Sequence, residues 1–174
     1  MKKKIITVIY IIALLLVLFA LQIFVIDSRT LLGSNPNLIL ISVLAISIWY
    51  GEKVGGIYSF ILGAIVEFLF NSNGMFLVSY TIVGILVGIL NTKYNKENKL
   101  SIVYVTIIAT FLFEFIQYIY YCAMYNVYSN LFYFIKQVVI GSILNIVIVF
   151  IVYSIIYKIV DYFDSRLRKD LSGF

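Results

Sequence analysis

Apolar runs separated by brief polar interruptions make up most of this chain, and their lengths set the first expectation. A bilayer core about 30 Å thick is crossed by roughly 20 helical residues rising about 1.5 Å each. On that rule the sequence predicts six transmembrane helices, near residues 5–26, 37–50, 54–70, 75–90, 102–125 and 131–160. The second, third and fourth are short. SNPNLILISVLAISIWYGEK offers little beyond twelve apolar-leaning residues before Gly51, which predicts a span that tilts little, thins the bilayer or packs beside a re-entrant stretch. Pro36 is expected in the first turn of that helix, where its missing N–H costs nothing.

The connections DSRTLLGSNP, GEK, NSNG, NTKYNKENKLS and NVYSN are short, so the expectation is an all-α, polytopic membrane protein: a single integral-membrane domain over residues 1–174. Three lysines precede the first apolar run, as in a signal peptide. The run continues from Ile5 to Ile26 with no small-x-small cleavage site after it, so a retained helix is expected. With the N-terminus in the cytoplasm, Lys2, Lys3, Lys4, Lys53, Lys93, Lys96, Lys99, Lys158, Arg166, Arg168 and Lys169 fall inside, and only Arg29 and Lys136 fall in the outer half. The positive-inside rule therefore predicts cytoplasmic termini, and helical rather than barrel spans predict the bacterial plasma (inner) membrane.

Tyrosine supports the same frame, because its amphipathic ring favours the headgroup level. Tyr118, Tyr120, Tyr121, Tyr125, Tyr128 and Tyr133 crowd the outer ends of spans five and six, while Tyr50, Tyr153, Tyr157 and Tyr162 lie toward the inner side. The outer cluster reads as an aromatic belt or as a docking platform for a sugar or lipid.

Composition sharpens the class. The chain is 63% hydrophobic and 12% charged, with a mean hydropathy of +1.07, too little polar surface for a soluble domain. Its net charge of +5 lies between apolar runs rather than on one soluble face, so it reads as topology and not as a nucleic-acid patch. The one cysteine, Cys122, excludes an intramolecular disulfide and a thiolate metal cluster. With no histidine, Ser-His and Cys-His nucleophile pairs and imidazole metal sites are excluded too, and no catalytic residue, cofactor or metal is expected.

Polar residues at depth are the informative ones, since an ionisable group in hydrocarbon costs on the order of 3 kcal/mol or more. Counting about 1.5 Å per residue, Glu67 lies roughly 5 Å below the outer end of its helix, Lys136 about 8 Å and Glu114 about 16 Å. A Glu67–Lys136 ion pair tying span three to span six is the first expectation, with snorkelling of each side chain as the alternative. Span five carries Thr106, Thr110, Glu114, Gln117 and Tyr121 at spacings of three and four, and span six answers with Gln137, Gly141 and Asn145. These read either as interhelical hydrogen bonds or as a midplane substrate or proton site.

Small residues mark close packing. Gly55, Ser59 and Gly63 share one helix face with Glu67, and Gly84 and Gly88 form a GxxxG face on the next span. Joined by the tight NSNG turn, the two helices are expected to approach with backbones nearly touching. Gly74 in that turn is expected to take a positive φ or to cap span three.

The order Pro36-Asn37-Leu38, Gly51, Gly56, Phe60, Gly63, an acid at Glu67, Gly74, Tyr80 and Gly84 resembles the bacterial rod-shape-determining MreD family, over about residues 34–92. Glu67 and Asn37 stand where that family often has aspartate. The resemblance implies a non-enzymatic membrane component of the machinery that directs peptidoglycan synthesis along the side wall. The partners it implies are an MreC-type bitopic protein, the MreB filament, RodA and its transpeptidase, and membrane lipid, with no nucleic acid. It also implies two readings of the stripe Gly55, Ser59, Gly63 and Glu67: an internal contact between spans three and four, or a groove for a partner's single transmembrane helix. The NTKYNKENKLS loop and the tail DYFDSRLRKDLSGF are solvated basic ends that a filament or anionic lipid can meet.

The rival from a different class is the substrate-binding S component of an energy-coupling vitamin transporter, whose six-helix fold the expected architecture resembles. Here Ala13 and Ala20 are seven apart rather than in an AxxxA face, and the outer loop DSRTLLGSNP is modest. Both features count against it. An intramembrane hydrolase lacks paired aspartates or a Ser-His arrangement.

Overall fold

A computed structural model describes residues 17–22, 34–90, 99–125 and 131–171. The rest of the expected first span, the amino-terminal lysines, Arg29, the loop at 91–98 and Tyr128 lie outside the described residues. A short helical segment at 17–22 (α1) precedes α2 (Leu38–Phe70), α3 (Met75–Ile89), α4 (Lys99–Tyr125) and α5 (Leu131–Leu171). Among the described residues, three helical stretches, Leu38–Phe70, Leu100–Met124 and Leu131–Val152, are long and apolar enough to cross a membrane, and Met75–Ile89 is a shorter apolar helix.

α2 is two arms rather than one rod. Gly51 has φ 83° and ψ −175°, a region only glycine occupies readily, and there the chain doubles back. In a straight helix Ser42 and Tyr58 would stand about 24 Å apart. Instead the Tyr58 hydroxyl donates to Ser42 Oγ at 3.1 Å. Glu52 and Lys53, just past the reversal, are exposed.

The first arm is the axis of the bundle, with every residue from Leu38 to Ile48 buried. One side, Ile39, Leu40, Val43, Leu44 and Ile48, packs on Val66 of the second arm, Tyr80, Val83 and Val87 of α3, and Val105, Ala109 and Phe113 of α4. The other side, Ile41 and Ala45, packs on Leu18 of α1, Ile102 of α4, and Val149 and Val152 of α5. An arm apolar all round is stable only when neighbours surround it, which is what these two clusters supply.

The outer helices turn large apolar side chains outward: Ile57, Phe60, Ile61 and Phe68 on the second arm, Ile108 on α4, and Ile143 and Val147 on α5. Such surfaces are stable in lipid, where helices satisfy their own backbone hydrogen bonds. At 41 residues, α5 is about 60 Å long, so its charged end, Lys158 to Asp170, runs past the apolar window. The tail expected as a solvated end is helical to Leu171.

The start of α2 differs from expectation. Its N-cap is Asn37, whose Oδ1 accepts the Leu40 N–H at 2.8 Å, so Pro36 precedes the cap instead of sitting in the first turn. Asparagine wins the cap because its side-chain oxygen satisfies a donor the helix leaves orphaned, and here that end is buried.

Candidate functional site

The second arm of α2 lies against α3 at van der Waals limits set by glycine. A Cβ on Gly63 would come 2.9 Å from Leu77 Cα, one on Gly84 2.5 Å from Ser59 Cβ, and one on Gly88 2.7 Å from the Glu52 backbone nitrogen. Gly55 closes against the first arm instead, where its Cβ would meet Ser47 Cα at 2.8 Å. Gly55, Ser59, Gly63, Gly84 and Gly88 are all buried. The two readings of the stripe therefore separate: α3 and the first arm already cover it.

Glu67 is the helix cap between these elements. Its Oε1 accepts the Gly74 N–H at 2.7 Å and its Oε2 the Phe76 N–H at 3.0 Å, placing a carboxylate on the positive end of α3. The turn that allows this holds Asn71 (φ 49°), Asn73 (φ 56°) and Gly74 (φ 92°) in the left-handed region. Gly74 is the N-cap residue of α3, while Asn71 ends α2, donating its N–H to the Glu67 carbonyl. The Tyr120 hydroxyl of α4 donates to the Asn73 carbonyl and holds the turn from the side. These contacts replace the expected Glu67–Lys136 pair. Lys136, expected among the buried polar residues, is exposed on α5. Depth counting matched the acid to a cation, but backbone donors seven and nine residues on lie nearer.

A buried polar knot ties the start of the axial arm to four other elements. The Asn37 N–H donates to Asn145 Oδ1 on α5 at 2.8 Å, and the Leu38 N–H to Gln22 Oε1 on α1 at 2.6 Å. Asn37 Oδ1 also accepts the Tyr80 hydroxyl of α3 at 3.0 Å, and Asn145 Nδ2 donates to Thr110 Oγ1 of α4 at 3.0 Å. Gln22, Tyr80, Thr110 and Asn145 are each at most 4% exposed. The expected α4–α5 hydrogen bonding takes this form at Asn145. Thr106 instead bonds back to the Ile102 carbonyl of its own helix, and Gln137 donates to Tyr133 one turn earlier. Gln22 and Tyr58 escaped the sequence reading, although a polar residue inside an apolar run was the available signal.

Beside the knot lies a cavity of about 650 Å³, bounded by residues 34–37, the end of the second arm, the start of α3, and α4 and α5. Glu114, Gln117 and Gln137 line it, with an aromatic wall that includes Phe76, Tyr118 and Phe134. Tyr118 and Phe134 have ring centroids 4.9 Å apart. Glu114 is half-buried, and among the described residues no group donates to its carboxylate. Gln117 Nε2 is buried without a hydrogen-bond partner.

Together these features define an all-helical membrane protein in which buried amides and hydroxyls fasten helices to one another around a side cavity. The family model for rod shape-determining protein MreD matches residues 1–160, and the chain belongs to that family. That family is one of membrane proteins with a role in rod-shape determination, and it is not known as enzymatic. Neither a curated protein nor a solved structure matches the sequence.

Proposed function

We propose that this protein is a non-enzymatic scaffold of the wall-elongation machinery in the plasma membrane. In this reading six helices cross the bilayer with both termini in the cytoplasm, as in the S-component fold. The scaffold holds an MreC-type bitopic protein and the wall synthases RodA and its transpeptidase, with the MreB filament beneath, and so directs side-wall peptidoglycan synthesis and cell shape. The observation that carries the reading is the family match over residues 1–160.

Geometry narrows the partner surface. The glycine and serine stripe is already covered and both Glu67 oxygens are engaged, so a partner's transmembrane helix is assigned to the outward side of the second arm. Ile57, Phe60 and Ile61 line that side, and Phe68 ends it at 88% exposure. Apolar ridges of this kind associate in lipid through shape and dispersion.

The test is purification of the tagged protein from its native membrane in mild detergent, with companions identified by mass spectrometry. A bitopic MreC-type protein with wall synthases is the expected outcome, reduced by Phe60→Ala with Phe68→Ala. ATP-binding and coupling subunits in their place would overturn it.

A further inference from the structure

The geometry points to the cavity beside the polar knot, bordered by α2, α3, α4 and α5, as a binding site for an ethanolamine-type ligand, with an ammonium group on Glu114 and an oxygen two carbons away accepting from Gln117. Three observations carry this, and none depends on the scaffold reading. First, a cavity of about 650 Å³ is within the range of small-molecule sites and far larger than one ordered water needs. Second, among the described residues that line it, Glu114 alone is charged, and none of them donates to its carboxylate. Third, Gln117 Nε2 is a buried donor with no acceptor.

Residues three apart on a helix are surface neighbours, so the free acceptor of Glu114 and the free donor of Gln117 stand side by side. Buried polar groups are normally paired, and two complementary ones left open on the same wall mark where a ligand supplies the partners. An ammonium ion satisfies the carboxylate, and the hydroxyl or ester oxygen of a 2-aminoethanol unit satisfies the amide. The aromatic lining, with Tyr118, Phe134 and Phe76, suits the same ligand, because aromatic rings offer a cation a favourable surface and an apolar cover for its methylenes.

An anion is disfavoured. The backbone N–H groups of Asn37 and Leu38, which would otherwise attract one, are occupied by Asn145 and Gln22. The ethanolamine unit has two sources, the free amino alcohol or the headgroup of phosphatidylethanolamine entering from the bilayer.

The full chain is reconstituted in nanodiscs of equal phosphatidylethanolamine and phosphatidylglycerol with matched acyl chains, and retained lipid is read by native mass spectrometry. In detergent, free ethanolamine is titrated while thermal unfolding is followed. Preferential retention of phosphatidylethanolamine by about tenfold, falling to parity in Glu114→Gln, supports the site with a lipid source. A rise in unfolding temperature with free ethanolamine, lost in Glu114→Gln and without lipid preference, supports it with the soluble source. If Glu114→Gln does not fold, Tyr118→Leu takes its place, with a weakened preference or shift expected. No preference and no shift in the wild type, retention of phosphatidylglycerol instead, or responses unchanged by the cavity variants would overturn the proposal.

Discussion

Asn145 and Asn37 are 108 residues apart in sequence, and the side-chain oxygen of the first accepts the backbone N–H of the second at 2.8 Å. The same Asn145 side chain reaches Thr110, so one residue joins the axial arm, α4 and α5. Replacing Asn145 by leucine keeps the branched shape and heavy-atom count but leaves both partners unpaired in a buried setting. The expected loss is about 1–3 kcal/mol of stability. Thr110→Val should cost less, and the double variant no more than Asn145→Leu alone, because the two share one bond. Thermal unfolding of the purified variants in detergent checks all three, and wild-type stability for Asn145→Leu would remove the knot from the account.

Glycine positions on the two faces separate by what stands opposite. Opposite Gly88 is the backbone of Glu52 and Gly51, which cannot move aside, whereas Gly56 meets only the Ile85 side chain at 3.0 Å and Gly141 has ordinary contacts at 3.5 Å and beyond. Gly88→Ala is therefore expected to destabilise by about 1–3 kcal/mol. Gly56→Ala should be milder, and Gly141→Ala neutral or stabilising by up to about 1 kcal/mol from helix propensity. Equal effects at positions 88 and 141 would contradict the packing described.

Glu67 acts on the start of α3 through two backbone hydrogen bonds. Glu67→Ala is expected to cost about 0.5–2 kcal/mol, the range of a lost N-cap, and Glu67→Gln less, since one acceptor remains. Lys136→Ala should leave stability unchanged. A charge-reversal pair, Glu67→Lys with Lys136→Glu, should be no better than Glu67→Lys alone, and recovery in the double variant would restore the ion pair as the explanation.

Gly51 carries the reversal of α2. An alanine there must hold φ near 83°, at a cost of about 1–3 kcal/mol. Gly51→Ala should lower the unfolding temperature more than Gly141→Ala does. Spin labels at residues 42 and 58, close in the wild type, give an independent reading, with longer distances expected where the hairpin opens.

Local chemistry was legible in the sequence, and long-range pairing was not. Gly51 followed by Glu52 and Lys53 interrupts an apolar stretch, the NSNG turn ends one helix and starts another, and small residues four apart announce close contact. Asn37 read as part of a family pattern at the start of a helix but not as the centre of a knot, because its long-range partners lie 43 and 108 positions away and no local pattern encodes them. Glu67 was misassigned for a physical reason. Depth along a helix places a charge but does not say what surrounds it, and the rule that carboxylates favour helix N-termini was the missing guide. Glu114 and Gln117 stood out as polar residues at depth, yet the sequence did not show that they border a cavity.

The knot has a consequence for how the chain is made. The Asn37 N–H meets its acceptor only once residue 145 has left the ribosome. At about 5–20 residues per second, the axial arm waits roughly 5–20 seconds for that partner. Until then the side of the arm that meets α5 has lipid for a neighbour, and the Asn37 N–H lacks its acceptor. Biogenesis of this protein thus has a late closing step, and chains that stop short of α5 would present an unfinished core to membrane quality control.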